Sequence, residues 1–220
     1  MEGRQRPVVD ALRRPVRWLL DALFPDACAG CGAERTIVCD ACWAAMPFMS
    51  EPQRLAELDV WSVTRFQAPV VRGVVHALKY GRRPEAAARI AEALARHPAA
   101  DLLRATPWRI VPVPMHAARE RRRGANQART LAWLLAEAGC GTVDDVLLRV
   151  RRTGTQTALD RAQRERNVKD AFRSRTFADP QAAYLLVDDV VTTGATLTSA
   201  ARALTDAGAT RVAAWTFAAD

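Results

Sequence analysis

The feature that most constrains the fold is an apolar run that ends in two adjacent aspartates, "YLLVDDVVTTGATLTSAARAL", residues 184–204. Its first four residues are typical of a strand buried on both faces of a sheet. Asp188 and Asp189 cannot both lie unpaired in a core, so we expect them where the strand leaves it. A loop rich in threonine and glycine then leads into a helix that begins near Thr196. This pattern predicts a strand–loop–helix unit of an α/β domain.

Strand-like and helix-like segments alternate from about residue 60 onward. Strands are predicted over 60–66, 109–114, 183–189 and 211–219, and helices over 70–81, 84–97, 126–139 and 196–208. We therefore expect an α/β fold with a largely parallel, twisted sheet flanked by helices and joined by right-handed crossovers. Ligands of such sheets bind beyond the carboxyl ends of the strands, which directs attention to the loops after Pro114 and Asp189.

Four of the five cysteines form two Cys-x-x-Cys pairs, "CAGC" and "CDAC", seven residues apart. Paired thiols in a chain without a secretion signal indicate a metal site rather than disulfides. Four thiolates suit a closed, tetrahedral structural zinc site, while an iron–sulfur cluster, a redox pair and a degenerate site stay open. The predicted ligands are Cys28, Cys31, Cys39 and Cys42. Cys140 is predicted to be a small buried hydrophobe.

Two domains are expected. Residues 1–50 are predicted to hold an N-terminal helix and the four-cysteine zinc module, and residues 51–220 the α/β domain. No run of 18 apolar residues occurs, which predicts that the chain has no membrane span. The arginine-rich N-terminus lacks a cleavage site of small residues, so we expect no signal peptide and a cytoplasmic location.

Basic charge is concentrated in two segments. Residues 115–130 carry a net charge of +4 and residues 149–175 one of +6, against +8 for the whole chain. Such clustering favours a polyanionic partner, either a phosphorylated small molecule or nucleic acid. An ordinary solvated surface is an equally good explanation at this point.

The loop after the acidic pair is suited to a sugar phosphate. Gly194 allows the backbone to approach a ligand closely. The hydroxyls of Thr192, Thr193 and Thr196, with the exposed amides at the start of the helix, would hold a phosphate. Carboxylates accept hydrogen bonds from hydroxyls, so the loop and the aspartates together suit a ribose 5-phosphate. A helix N-cap with an acidic turn would explain one of these residues but not their density.

The same stretch resembles the phosphoribosyl diphosphate (PRPP) binding motif of type I phosphoribosyltransferases. The resemblance implies that Asp188 and Asp189 are the catalytic pair that binds the ribose hydroxyls. It also implies a loop that binds the 5-phosphate, formed by Thr192, Thr193, Gly194, Ala195 and Thr196. Magnesium is implied as the ion that accompanies PRPP.

Two further stretches, "VPVPMHAARERRRGANQARTLA" and "RRTGTQTALDRAQRERNVKDAF", together with the cysteine pairs, resemble the ComF family over residues 20–220. Its members are phosphoribosyltransferase-like proteins linked to DNA uptake in competent bacteria. Ala125 stands where the family usually carries an aromatic residue. The diphosphate candidates that the resemblance implies are Arg119, Arg122 and Arg123, with Arg121 and His116 beside them, and Lys79 is a further diphosphate candidate from another part of the chain. The mobile-loop candidates are Thr153, Gln156, Arg161, Arg166 and Asn167.

Three functions remain open from the sequence. The chain is interpreted first as a PRPP-binding protein that handles single-stranded DNA during natural transformation, with Trp43, Phe48 or Trp61 as stacking platforms or, more simply, as core residues. The second interpretation is an active phosphoribosyltransferase with an unknown base acceptor, for which any hood over the base would come from the N-terminal 60 residues. The third is a zinc-stabilised regulator that senses PRPP and binds a protein of the competence machinery.

Overall fold

The computed structural model describes residues 27–81, 84–116, 120–121, 125–151 and 170–220. The N-terminal helix expected before residue 26 lies outside these ranges. Within the described residues, no helix is both long enough and apolar enough to cross a membrane. The proposed division of the chain at residue 50 stays a prediction.

Eight strands form one large sheet and one small ribbon in the described part of the chain. Their bounds are β1 (Gln53–Leu55), β2 (Leu58–Arg65), β3 (Trp108–Pro112), β4 (Gly141–Val143), β5 (Leu147–Arg149), β6 (Phe172–Ser174), β7 (Ala183–Val191) and β8 (Arg211–Ala219). The large sheet has the order β1-β2-β8-β7-β3-β4, and β5 pairs with β6 separately. Every neighbouring pair in the large sheet is parallel except β1 and β2. The predicted, largely parallel α/β fold is thereby confirmed.

Four of the described helices match the predicted segments with small differences at their ends, whereas two helices of five residues each were not predicted. Their bounds are α1 (Asp40–Ala44), α2 (Pro69–His76), α3 (Pro84–Arg96), α4 (Ala100–Arg104), α5 (Gln127–Glu137) and α6 (Ala195–Asp206). The segment predicted as one helix over 70–81 ends as a π-helical turn, Ala77–Gly81. Asn126 caps α5, because its side-chain oxygen accepts a hydrogen bond from the amide of Ala128 at 3.1 Å.

The core lies on both faces of the large sheet. On one face, α2, α3 and α5 pack with the cysteine-rich segment around Trp215 and Phe217. On the other face, α6 and the β5–β6 ribbon pack against Leu186 and Val60. Cys140 is 1% exposed in the first of these clusters, as predicted for a small hydrophobe. Burial on both faces explains the apolar run of β7 before its aspartates and the largely apolar sequence of β8.

The order in which the chain adds strands to the sheet reverses between β3 and β7. The chain passes from β3 outward to β4, whereas it passes from β7 to β8 on the other side. Val113, just after β3, donates its amide hydrogen to the carbonyl of Val187 at 2.9 Å, so both strands end at the same edge. Parallel α/β sheets bind their ligands in the crevice at this kind of switch point. The loops after β3 and β7 therefore open onto one place.

His97 ties the segment after the cysteines to the helical layer. It is 3% exposed, its Nε2 lies 2.8 Å from the carbonyl oxygen of Met49, and its Nδ1 accepts the amide hydrogen of Ala99 at 3.1 Å. A carbonyl can only accept, so the ring is neutral and protonated on Nε2. Burial lowers the pKa of His97 below its ordinary value of 6.5.

We expect His97→Ala to lower the free energy of unfolding by about 2 kcal/mol at pH 8, because Met49 and Ala99 lose buried hydrogen-bond partners. The folded-state pKa is depressed, so the wild-type contribution is complete above pH 6.5 and is lost as the pH falls through the folded-state value. The difference between variant and wild type should therefore shrink by pH 5. Urea denaturation at both pH values measures it, and equal stabilities at pH 8 would contradict the assignment.

Candidate functional site

Asp188 and Asp189 lie near the carboxyl end of β7, beside the crevice at which the strand order reverses. β7 extends to Val191, two residues beyond the predicted end, so both aspartates are still within the strand. Their carboxylates bind neighbouring amides. Asp188 Oδ1 accepts the amide hydrogen of Asp189 at 2.9 Å, and Asp189 Oδ1 accepts that of Val190 at 2.8 Å. Each carboxylate keeps a second oxygen for other partners.

Lys79 is brought to the acidic pair from another part of the chain. Its Nζ lies 2.9 Å from Asp189 Oδ2, and the two side chains are 22% and 14% exposed. It is carried by the π-helical turn that follows α2. Lys79, a candidate for binding the diphosphate, thus lies beside Asp189, a candidate for binding the ribose, although the two residues are 110 positions apart in the sequence.

Asp188 has a pKa far from its ordinary value. Burial, followed by the charge of Asp189, raises the pKa of Asp188 from 3.8 to about 7, and the positive charge of Lys79 opposes the change. At neutral pH its carboxyl group is therefore divided between two protonation states. Titratable groups perturbed in this way by burial and a like charge are common at functional sites.

The raised pKa makes Asp188 a source of instability at high pH. The pKa of Asp188 is higher in the folded state than in the unfolded state. Its contribution to the free energy of unfolding is therefore fully present below about pH 4 and is lost as the pH rises through about 7. Asp188→Asn should raise the melting temperature by about 5 °C at pH 8. The gap between variant and wild type should close as the pH falls toward 4. Melting curves across this range test the prediction, and identical curves at pH 8 would contradict it.

The turn after β7 is tight and contains a glycine in a left-handed conformation. Gly194 has φ +75°, a left-handed conformation that glycine adopts readily. A Cβ on Gly194 would lie 2.7 Å from Cδ1 of Leu55, so the turn packs closely on the β1–β2 hairpin. Thr193 Oγ1 lies 3.4 Å from the amide nitrogen of Ala195, which begins α6. Thr192 is exposed, and Thr196 is partly buried in the first turn of the helix.

Most of the basic candidates fall outside the described residues. Among the candidate arginines in the loop after β3, Arg121 lies within the described residues and is exposed. Outside the described ranges lie the diphosphate candidates Arg119, Arg122 and Arg123 and the mobile-loop candidates Thr153, Gln156, Arg161, Arg166 and Asn167. Their roles stay predictions.

The aromatic residues considered for stacking are parts of the core. Trp43 is 1% exposed, and its ring lies 6.4 Å from that of Phe217 in a stacked arrangement. Phe48 and Trp61 pack against the same cluster and are partly buried. This agrees with the simpler of the two interpretations.

The four cysteines of the paired motifs form one cluster. The sulfur atoms of Cys28, Cys31, Cys39 and Cys42 all lie within 4.8 Å of one another. Those of Cys31 and Cys39 are 3.6 Å apart. Tetrahedral zinc with bonds of about 2.3 Å requires sulfurs about 3.8 Å apart. The residues present therefore fit zinc, and the cluster supports a structural zinc site.

The electrostatics of the cluster also suit a cation. The amides of Cys39 and Gly30 donate to the sulfur of Cys28 at 3.3 and 3.4 Å, and the amide of Cys39 contributes most to lowering the pKa of Cys28 to about 6. Hydrogen bonding to the sulfurs of Cys39 and Cys31 raises the pKa of Cys42 to about 12. Four adjacent sulfurs thus cannot all become thiolates without a balancing positive charge.

The cysteine-rich segment is packed directly on α2. A Cβ on Gly73 would lie 2.5 Å from that of Ala29, so glycine is needed where the two segments meet. A Cβ on Gly30 would lie 2.8 Å from both Cys42 Sγ and a methyl group of Val70. The same helix leads into the turn that carries Lys79. The cysteine-rich segment therefore packs against the helix that positions Lys79.

Sequence reasoning missed a group of residues beside Lys79. Phe66, Arg72 and His76 line a pocket of about 580 Å³ together with Lys79 and Ala29. One signal was present, because the basic residues recur at intervals of four and three along one helical stretch. The pocket itself depends on the position of the cysteine-rich segment, which no local pattern predicts.

Comparisons with known proteins find similarity both for the cysteine-rich segment and for most of the chain. A family model described as a double zinc ribbon domain matches residues 19–53. The chain is 37% identical over 203 residues to DNA utilization protein YhgH of Salmonella typhimurium, covering 86% of each protein. It is 37% identical over 156 residues to the Escherichia coli protein of that name, covering 67% of this chain and 66% of the relative. Competence protein F of Haemophilus influenzae is 35% identical over 112 residues, about half of each chain.

The described chain is thus an α/β protein with a four-cysteine zinc segment packed on its sheet-flanking helices. At the identity and coverage found with YhgH, it belongs to the ComF family of competence and DNA utilization proteins.

Proposed function

We propose that this protein binds PRPP together with magnesium at the carboxyl end of β7 and handles single-stranded DNA during natural transformation. The single observation that carries the proposal is the contact of Lys79 with Asp189 beside the Gly194 turn. It joins a cation, a pair of carboxylates and the amide-bearing start of a helix at the switch point of a parallel sheet. PRPP needs each of these: a cation for the diphosphate, acceptors for two hydroxyls and donors for the 5-phosphate.

The roles follow from the chemistry of each group. Asp188 and Asp189 accept hydrogen bonds from the ribose hydroxyls. The turn from Thr192 to Thr196 holds the 5-phosphate through amides and hydroxyls. Lys79 moves from Asp189 toward the diphosphate. Magnesium supplies charge neutralisation of the leaving group when it is bound with PRPP.

The proposed role in DNA handling rests on the relatives and on charge. Those relatives carry the names DNA utilization protein and competence protein F. Two segments of this chain concentrate positive charge, with net charges of +4 and +6. Neutralisation of DNA phosphates by lysine and arginine accounts for affinity that is independent of sequence. A cytoplasmic location and a partner protein in the competence machinery are parts of the same proposal.

A second candidate is an active phosphoribosyltransferase. The perturbed Asp188 at the proposed ribose site favours it, since such groups often serve catalysis. The reaction would displace pyrophosphate at the anomeric carbon of PRPP, and it requires positioning and charge stabilisation rather than a protein nucleophile. A PRPP-sensing regulator stabilised by zinc would use the same binding site without the transfer.

Pyrophosphate release from PRPP and magnesium separates these functions. We would assay the full chain with a panel of nucleobases, with and without a single-stranded dT oligonucleotide. PRPP binding without release, and DNA affinity that falls steeply between 50 and 200 mM salt, are expected for the first proposal. Release that depends on one acceptor would establish the transferase. Failure of either PRPP or the oligonucleotide to bind would overturn the proposal.

A further inference from the structure

A pocket of about 580 Å³ lies beside the proposed PRPP site, and Lys79 is its one residue already placed in that site. One wall is the side of α2 that carries Arg72 and His76. Phe66 and Ala29 of the cysteine-rich segment also line the pocket. The pocket is therefore built where the zinc segment meets the α/β sheet.

The position of Phe66 places the pocket at the ligand-binding edge of the sheet. Phe66 follows β2 directly, and its amide donates to the carbonyl of Ala219 at the end of β8 at 2.7 Å. Both strands run parallel to β7, so this is the edge at which Asp188 and Asp189 lie. Lys79 lines the pocket and also contacts Asp189. A molecule in the pocket would thus lie next to a ribose held by the aspartates.

The chemistry of the lining selects the type of molecule. Arg72, His76 and Lys79 all supply hydrogen-bond donors. No carboxylate occurs among the described residues that line the pocket. A neutral nucleobase offers both donors and acceptors, and so requires both in return. The cationic donors of Arg72 and Lys79 instead match a carboxylate, for which the planar guanidinium of arginine has the matching geometry.

Phe66 and the close approach of the zinc segment add a flat, apolar side. The Phe66 ring is partly buried and packs against the core, so its orientation is restrained. Gly73 and Ala29 meet at the lining of the pocket, since a Cβ on Gly73 would lie only 2.5 Å from that of Ala29. An aromatic ring bound in the pocket would pack its face or edge against Phe66.

We propose that this pocket binds a planar aromatic acid, with its carboxylate on Arg72 and its ring against Phe66, and that this acid is the acceptor of the phosphoribosyl group. The inference rests on PRPP binding at Asp188 and Asp189. In the transfer, a ring nitrogen of the acid donates its electron pair to the anomeric carbon of PRPP. The bond from that carbon to the diphosphate oxygen breaks, and pyrophosphate leaves with the electrons. A proton on that nitrogen, where present, passes to water.

Matched pairs of small probes test the proposal on the full, zinc-loaded chain. Uracil-6-carboxylate is compared with uracil, and pyridine-3-carboxylate with its carboxamide, each in the presence of PRPP and magnesium. At least one acid should bind and release pyrophosphate, whereas its neutral counterpart should not. Arg72→Gln should weaken binding of that acid by about tenfold, because a charge-assisted contact is lost. Arg72 is exposed, so the variant is expected to fold.

The control variant also replaces an exposed arginine with glutamine, but at the opposite edge of the sheet. Arg211 is exposed at the start of β8, and Arg211→Gln should leave binding of the acid unchanged. PRPP affinity, measured separately by calorimetry, should be unaltered in both variants. If PRPP fails to bind the wild-type chain, the proposed function itself is overturned. If PRPP binds but acids and neutral probes behave alike, or if Arg72→Gln weakens only a dT oligonucleotide, the acceptor assignment is overturned.

Discussion

Asp189→Asn should weaken binding of PRPP and magnesium at least tenfold, as measured by calorimetry at pH 7.5. Asparagine can still accept the amide hydrogen of Val190, so the strand should be preserved. It loses the negative charge that holds Lys79 at 2.9 Å and the carboxylate oxygen that would accept a ribose hydroxyl. A charge-assisted hydrogen bond is worth about 1.5–3 kcal/mol, which is the basis for a loss of about tenfold or more.

Asp206→Asn is the matched control for this variant. Asp206 is exposed at the end of α6, and the substitution removes the same charge away from the candidate site. Its PRPP affinity should equal that of the wild type. If the two variants bind alike, with unchanged melting temperatures, the acidic pair is not the ribose site.

Loss of zinc should cause the largest change in stability. Ile37, Val38, Trp43 and Met46 of the cysteine-rich segment lie in the same hydrophobic cluster as α2, α3 and α5. Their positions depend on the four cysteines, because a structural zinc site contributes directly to folding energy. We expect Cys39→Ser, or treatment with a chelator, to lower the melting temperature by roughly 10 °C. Elemental analysis should show one zinc per wild-type chain.

Cys140→Ala provides the control for the effect of removing a thiol. Cys140 is buried in the core, away from the four-cysteine cluster. This variant should keep its zinc and should lose little stability relative to Cys39→Ser. If zinc is absent from the wild type and a chelator leaves its melting temperature unchanged, the metal assignment is wrong.

Much of the fold could be predicted because the long elements carry clear patterns. The final strand was predicted over 211–219 and lies at Arg211–Ala219, since it is apolar throughout and follows Gly208. The short elements were missed. β1 and β4 have three residues each, too few to show a period, and they form by pairing with β2 and β3. The π-helical turn that carries Lys79 also has no local signature.

The candidate site was only partly predictable, for a related reason. The aspartates and the Gly194 turn are contiguous in the chain, so their pattern was evident from the sequence. The contact between Lys79 and Asp189 joins residues from separate elements, and the pairing of parallel strands brings it about. The pocket at Phe66 and Arg72 depends further on the packing of Ala29 against Gly73, which is a tertiary contact.

The most direct test of the central claim is a calorimetric titration of PRPP into the wild-type, zinc-loaded chain, with and without magnesium. We predict saturable binding of one PRPP per chain, stronger with magnesium, and at least tenfold weaker in Asp189→Asn but unchanged in Asp206→Asn. No heat of binding, or an affinity that Asp189→Asn leaves unchanged, would contradict the assignment of the acidic pair to PRPP.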